Sequence, residues 1–120
     1  MEYTGSMEKE EIKLEDCKFD HIAVISSNIP KSVAWYKKML KASVIYQDKT
    51  WALVECFDTK IAFVSKDEHS AHLAFRVGST VNFPCSHEDV KKHRDGSSYY
   101  YGSDPDGNII EWIAYTDETE

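Results

Sequence analysis

Asp20-His21-Ile22-Ala23-Val24 and Ala71-His72-Leu73-Ala74-Phe75 share one form: a histidine, an aliphatic residue, an alanine and an apolar residue. Further along, Lys60-Ile61-Ala62-Phe63-Val64 is echoed by Asn108-Ile109-Ile110-Glu111-Trp112, each following a tight turn. Both echoes run in the same order at an offset of about 50 residues, the mark of a duplicated unit. The chain therefore reads as two modules, about 18–66 and 70–116. An acidic N-terminal segment, 1–17, precedes them as a tail or peripheral strand, and 117–120 form a short C-terminal tail.

Within the first module, Phe19 to Ser26 mixes β-branched and aromatic residues over the length of a strand. The cluster Ser26-Ser27-Asn28 can cap a helix, and Pro30 falls in its first turn, where a missing N–H costs least. The spacing predicts a helix from Pro30 to Lys41, with Val33, Tyr36 and Leu40 on one face and Trp35 and Met39 beside it. Three runs of strand composition follow, 43–47, 51–57 and 60–65, separated by gaps short enough for hairpin turns. The local order is β-α-β-β-β. The second module is irregular between Gly78 and Gly96, with Pro84, a short helix candidate from His87 to His93 and no strand signal. It closes with a strand at 98–102, the turn Asp104-Pro105-Asp106-Gly107 and a strand at 108–115.

Composition narrows the function classes. The 120 residues include 21 acidic and 14 basic side chains, a formal charge of −7, with no basic stripe. Phosphate backbones and anionic membranes are poor partners for such a chain, because binding them depends on Lys and Arg. A hydrophobic content of 42% supports one packed domain rather than disorder. Cys17, Cys56 and Cys85 lie far apart without a CxxC pair, so they read as reduced thiols, with Cys56 a buried and inert one. No run approaches the ~18 apolar residues of a membrane span, and the expected location is cytoplasmic.

Alternation along a strand sets His21 on one face with Ala23 and Ile25, His72 with Ala74 and Arg76, and Glu111 with Ile109 and Ile113. If the two copies pack about a pseudo-two-fold axis, His21 and His72 converge. Glu111 sits in an otherwise apolar strand, where an unpaired carboxylate costs several kcal/mol. A lone histidine at a strand start is usually an ordinary core or surface residue, and Glu111 could equally pair with Arg76 or a lysine. The conjunction is what points to a 2-His-1-carboxylate set for a divalent metal. His69, His87 and His93 lie in polar stretches and are read as solvated.

Four segments together resemble the vicinal oxygen chelate superfamily: Phe19 to Val24, Ser32 to Leu40, His72 to Val77, and Asp104 to Trp112. This superfamily includes glyoxalase I, fosfomycin resistance proteins, methylmalonyl-CoA epimerase, extradiol dioxygenases and bleomycin-binding proteins. The resemblance spans about residues 18 to 116, and its most specific piece is the Asp-Pro-Asp-Gly-Asn turn with Glu111 three positions on. It implies an α+β fold of two βαβββ modules forming an open, barrel-like cup, with the second module shortened. It also implies one divalent metal ion, Zn, Mn, Fe, Ni or Co, on His21, His72 and Glu111, a set most similar to that of the fosfomycin resistance proteins. By the internal offset, Phe63 stands where glyoxalase I carries a fourth ligand. Leu40-Lys41 stands where the superfamily usually has Leu-Gly.

A metal-dependent enzyme of the glyoxalase-like type follows from the resemblance, with lyase, isomerase or transferase chemistry on a small oxygen-chelating substrate. In it Glu111 is a metal ligand and catalytic residue, while Arg76, Tyr99 and Tyr101 orient substrate or neutralise charge. The alternative is a non-catalytic dimeric module of the bleomycin resistance type, sequestering a small molecule between aromatic walls such as Trp35, Trp51 and Trp112. Short members of the superfamily commonly pair as homodimers with strands exchanged, so that His21 of one chain could complete a site on another.

Overall fold

The computed structural model describes residues 17–115. The acidic segment 1–16 and the C-terminal tail lie outside the described residues. Two compact units divide the chain: Asp20–Leu73, and a second in which 17–19 join the residues from Ala74 onward.

The first unit contains β1 (Lys18–Ile25, entering from the other unit), α1 (Ile29–Leu40), β2 (Ser43–Gln47), β3 (Trp51–Cys56) and β4 (Thr59–Val64). Its strand order is β2-β3-β4-β1, with β3 antiparallel to both its neighbours and β1 parallel to β4 in the register Ala23↔Ala62. The helix begins where expected. The Asn28 side chain accepts from the Lys31 N–H at 3.0 Å, which satisfies one of the orphan donors of the first turn. It ends at Leu40 because Lys41 takes the left-handed conformation, φ 56°, and the Ala42 N–H donates to the Tyr36 carbonyl at 3.2 Å. The turn between β2 and β3 is tied by Asp48. Its carboxylate accepts from the Tyr46 hydroxyl and from the backbone of Thr50 and Trp51, which holds it down at about 2.

The pleat sorts this unit's side chains into two sets. Ile29 and Val33 of α1, with Tyr36 and Leu40 alongside, pack on Ala52, Val54, Cys56 and Phe63. Ala23, Ala62 and Val64, flanked by Trp51 and Leu53, form a smaller cluster on the opposite face. Trp35 and Met39 point outward, each more than half exposed.

The second unit carries the end of β5 (His72–Arg76), two single turns of 3-10 helix at Thr80–Asn82 and His87–Asp89, β6 (Lys91–Lys92), β7 (Ser98–Ser103) and β8 (Ile109–Ala114). No α-helix forms here among the described residues. Phe83, fully buried, and Cys85 fill the core instead, with Val77, Tyr100 and Ala114. The helix candidate from His87 to His93 is corrected: one 3-10 turn ends at Asp89, Val90 is extended (φ −78°, ψ 132°) and the chain enters β6. The Asp-Pro-Asp-Gly turn is as expected, with Gly107 at φ 88° and the Asp104 carboxylate accepting from the N–H groups of Asp106 and Asn108.

In the second unit the strand order is β5-β8-β7-β6, and the protein is of the α+β class. Strand β5 belongs to both units, His72-Leu73 to the first and Ala74–Arg76 to the second. Among the described residues no helix is long and apolar enough to cross a membrane.

Lys41 marks a local conflict, because an L side chain in the left-handed region costs about 1–2 kcal/mol that glycine does not pay. Lys41→Gly is expected to raise stability by about 1 kcal/mol, read as a higher urea midpoint at unchanged slope.

Candidate metal centre

In the first unit, His21 follows the pleat of Ala23 and so belongs to the face opposite α1. His72 opens β5 and is buried. The two rings lie edge to face, centroids 5.7 Å apart at 72°, and a ring nitrogen of one is within 4.8 Å of a ring nitrogen of the other. Each Nδ1 has an acceptor: the buried Asp20 carboxylate at 2.7 Å for His21, and the Ser70 carbonyl at 2.8 Å for His72. A carbonyl or carboxylate oxygen can only accept, so it sets the proton on Nδ1 and the lone pair on Nε2. Metal-binding histidines are characteristically prepared in this way, with the outer partner fixing tautomer and ring plane. The pair forms within a single chain, so no exchanged strand is needed to bring His21 to His72.

Phe63 is placed differently from the offset argument. Its ring is 4.8 Å from Tyr36 in the core beneath α1, on the opposite face from His21. On the His21 face β4 presents Ala62 and Val64. A shift of one residue in the internal alignment exchanges the faces of a strand, and that accounts for the error.

In the second unit, Glu111 is 2% exposed on β8. Its face is the one away from the apolar cluster that holds Trp112 and Ala114. Tyr101 lies directly opposite it on β7, in the register Tyr101↔Glu111, and Tyr99 is opposite Ile113. The two tyrosine rings meet edge to face at 5.2 Å. Burial, followed by the negative charge of Glu111 and then Tyr99, pushes the Tyr101 hydroxyl well above the ordinary tyrosine range. Tyr101 is therefore a firmly protonated donor beside an acid.

One participant escaped the sequence reading. His93, expected to be solvated, is half-buried, donates from Nε2 to Glu111 Oε2 at 2.7 Å, and stacks flat on Tyr99 with centroids 3.8 Å apart and planes at 12°. The signal that could have found it is Asp95-Gly96, a hairpin turn dipeptide just before a strand with three consecutive tyrosines, Tyr99 to Tyr101. His69 and His87 are exposed, as expected. Arg76 is exposed at the end of β5, its guanidinium 5.6 Å from the centre of the Tyr115 ring. Of the three tryptophans considered as walls of a sequestering pocket, only Trp35 is exposed. Trp51 is half-buried and stacks on Tyr46 at 4.5 Å, and Trp112 packs against the core of its own unit.

No protein-family model matches the sequence, and neither does any curated protein. Solved structures do match. Methylmalonyl-CoA epimerase from Mycobacterium tuberculosis superposes with a TM-score of 0.69 and 14% identity over 91% of this chain and 95% of that one. A hypothetical protein from Bacillus halodurans C-125 gives 0.67 and 15% over 86% and 97%. A variant of homoprotocatechuate 2,3-dioxygenase from B. fuscum gives 0.59 and 17% over 83% of this chain but 32% of its own. The chain has the vicinal oxygen chelate fold expected from its motifs, and at such identities the likeness is one of fold.

Because the folded chain retains the Tyr101 proton above the ordinary value of 10.0, the folded state binds more protons than the unfolded one in alkali, and stability falls as pH rises past about 10. In a spectrophotometric titration of tyrosinate, one tyrosine is expected to ionise last. Tyr101→Phe should remove that late step, and Glu111→Gln should move it to lower pH.

Proposed function

We propose that the chain is a metal-dependent enzyme of the glyoxalase-like type, with His21, His72 and Glu111 holding one divalent ion. The observation that carries this reading is the histidine pair: two adjacent rings, each with Nδ1 committed to an acceptor, so that both lone pairs sit on Nε2. Support for the third ligand comes from chemistry. Glu111 is a buried acid in an apolar strand, and a cation is a natural compensation for such a charge. Two neutral imidazoles and one carboxylate leave a divalent ion with a net positive charge and open positions, and this donor set accepts Zn, Mn, Fe, Ni or Co.

A bound divalent ion supplies Lewis acidity toward two adjacent oxygens of a small substrate. The chain's own residues do the rest. His21 and His72 are held at fixed tautomer by Asp20 and by the Ser70 carbonyl, so their orientation costs little on binding. Tyr101 stays protonated across the working pH range and donates a hydrogen bond to an oxygen that gains charge. Tyr99 packs against Tyr101 and holds it in place. Arg76, on the His72 parity of β5, attracts an anionic group of the substrate. Lyase, isomerase and transferase reactions share these needs.

The uncovered side chains of Val44, Ile45 and Tyr46 on the end strand β2, with Trp35 and Met39 of α1, support pairing of two chains into a homodimer. Three cysteines with no disulfide support a reducing, cytoplasmic setting.

Metal analysis of the purified chain, before and after chelation, is expected to find one divalent ion per chain that returns on reloading. His21→Ala, His72→Ala and Glu111→Ala should each weaken binding by more than the ~10–100-fold typical of an outer partner, measured by calorimetry. A chain that takes up no divalent ion stoichiometrically overturns the enzyme reading.

A further inference from the structure

One oxygen of the Glu111 carboxylate has a donor from a distant segment of the chain. Oε2 accepts from His93 Nε2 at 2.7 Å, across 18 positions of sequence. A carboxylate on a three-bond stem can present one oxygen or both to a cation, and a strong donor on one oxygen decides which.

His93 is itself fixed from two directions. Its backbone belongs to the hairpin turn between β6 and β7. The His93 N–H donates to the Ser97 carbonyl at 2.9 Å, and its own carbonyl accepts from Gly96 at 3.0 Å, with Gly96 at φ 93°. Asp95 secures the turn by accepting from the Ser97 N–H at 2.8 Å and its hydroxyl at 2.7 Å. The His93 ring then lies flat on Tyr99. A donor anchored by both backbone and ring holds the plane of whatever accepts from it.

The geometry points to His93 as a positioning residue that keeps Oε2 of Glu111 in a hydrogen bond and so presents Oε1 alone to a divalent cation. This rests on the metal reading of His21, His72 and Glu111. A carboxylate restricted to one oxygen occupies one coordination position instead of two, and the position spared is available to a substrate that chelates through two oxygens. Tyr99 serves the same end indirectly, as the surface on which the imidazole rests.

The test uses Co2+ as the probe, with affinity from titration and coordination from the visible absorption band, on the whole chain. His93→Gln puts an amide N–H near the place of Nε2, whereas His93→Asn puts one near Nδ1 and cannot reach Oε2. Glutamine is expected to keep affinity and band close to the original chain. Asparagine is expected to lose ~10–100-fold in affinity and to show a weaker band as the second carboxylate oxygen joins the ion. Tyr99→Leu, which leaves the donor in place but removes its support, should move both readouts in the asparagine direction, and it decides the matter should the asparagine variant not fold. Glutamine and asparagine variants that behave alike, whether both intact or both impaired, overturn the positioning role while leaving the metal reading standing. An original chain that binds no Co2+ overturns both.

Discussion

A strand side chain must go to one face of the sheet or the other, and this two-residue period is the constraint from which the rest of the molecule follows. In the first unit it sends Val54, Cys56 and Phe63 under the helix and leaves Ala23, Ala62 and Val64 on the other face with the His21 parity. In the second it sends Trp112 and Ala114 into the apolar cluster and Glu111 away from it. On the His21 face the paired Ala23 and Ala62 are small, and on the opposite face Val54 and Phe63 supply packing under the helix. Apolar burial of the order of 25 cal/mol per Å2 on the packed face offsets the cost of keeping imidazoles and a carboxylate out of water.

Every chemically active side chain on those polar faces has a partner that fixes its direction. Asp20 and the Ser70 carbonyl hold the two histidine rings, and His93 holds Glu111. No buried side-chain nitrogen or oxygen among the described residues lacks a hydrogen bond. Such satisfaction keeps ionisable groups affordable in a low-dielectric surrounding, and it also removes rotational freedom that a ligand or substrate would otherwise have to freeze. The tyrosine pair on β7 has the complementary property. Burial beside a negative charge makes Tyr101 a donor that resists ionisation.

The second unit shows how a duplicated pattern can persist after its middle has changed. A helix is present in the first unit and absent among the described residues of the second, where the fully buried Phe83 occupies a core otherwise closed by a helix face. The closing hairpin, β7 with β8, keeps the turn chemistry of Asp104 and Gly107 and with it the register that sets Glu111 opposite Tyr101. Lys41 is the reverse case, a position where the backbone keeps the left-handed conformation although the residue is not the glycine that conformation favours.

Much of this was legible without coordinates, because it is local. Periodicity, capping by Asn28, turn dipeptides and the paired His-aliphatic-Ala runs depend on neighbours in sequence, and they yielded the helix, its ends and the strands other than β6, which the sequence did not signal, together with the faces that His21 and Glu111 take in their own strands. What only tertiary structure decided are relations between distant segments. The face of Phe63 depends on the register between β1 and β4, and one residue of misalignment inverts it. Val90 leaves the helical region to enter β6 because strand pairing with β7 outweighs weak local propensity. His93 looks like any solvated histidine until a hairpin turn folds it onto Tyr99 and Glu111, since hydrogen-bond partners far apart in sequence leave no periodic trace.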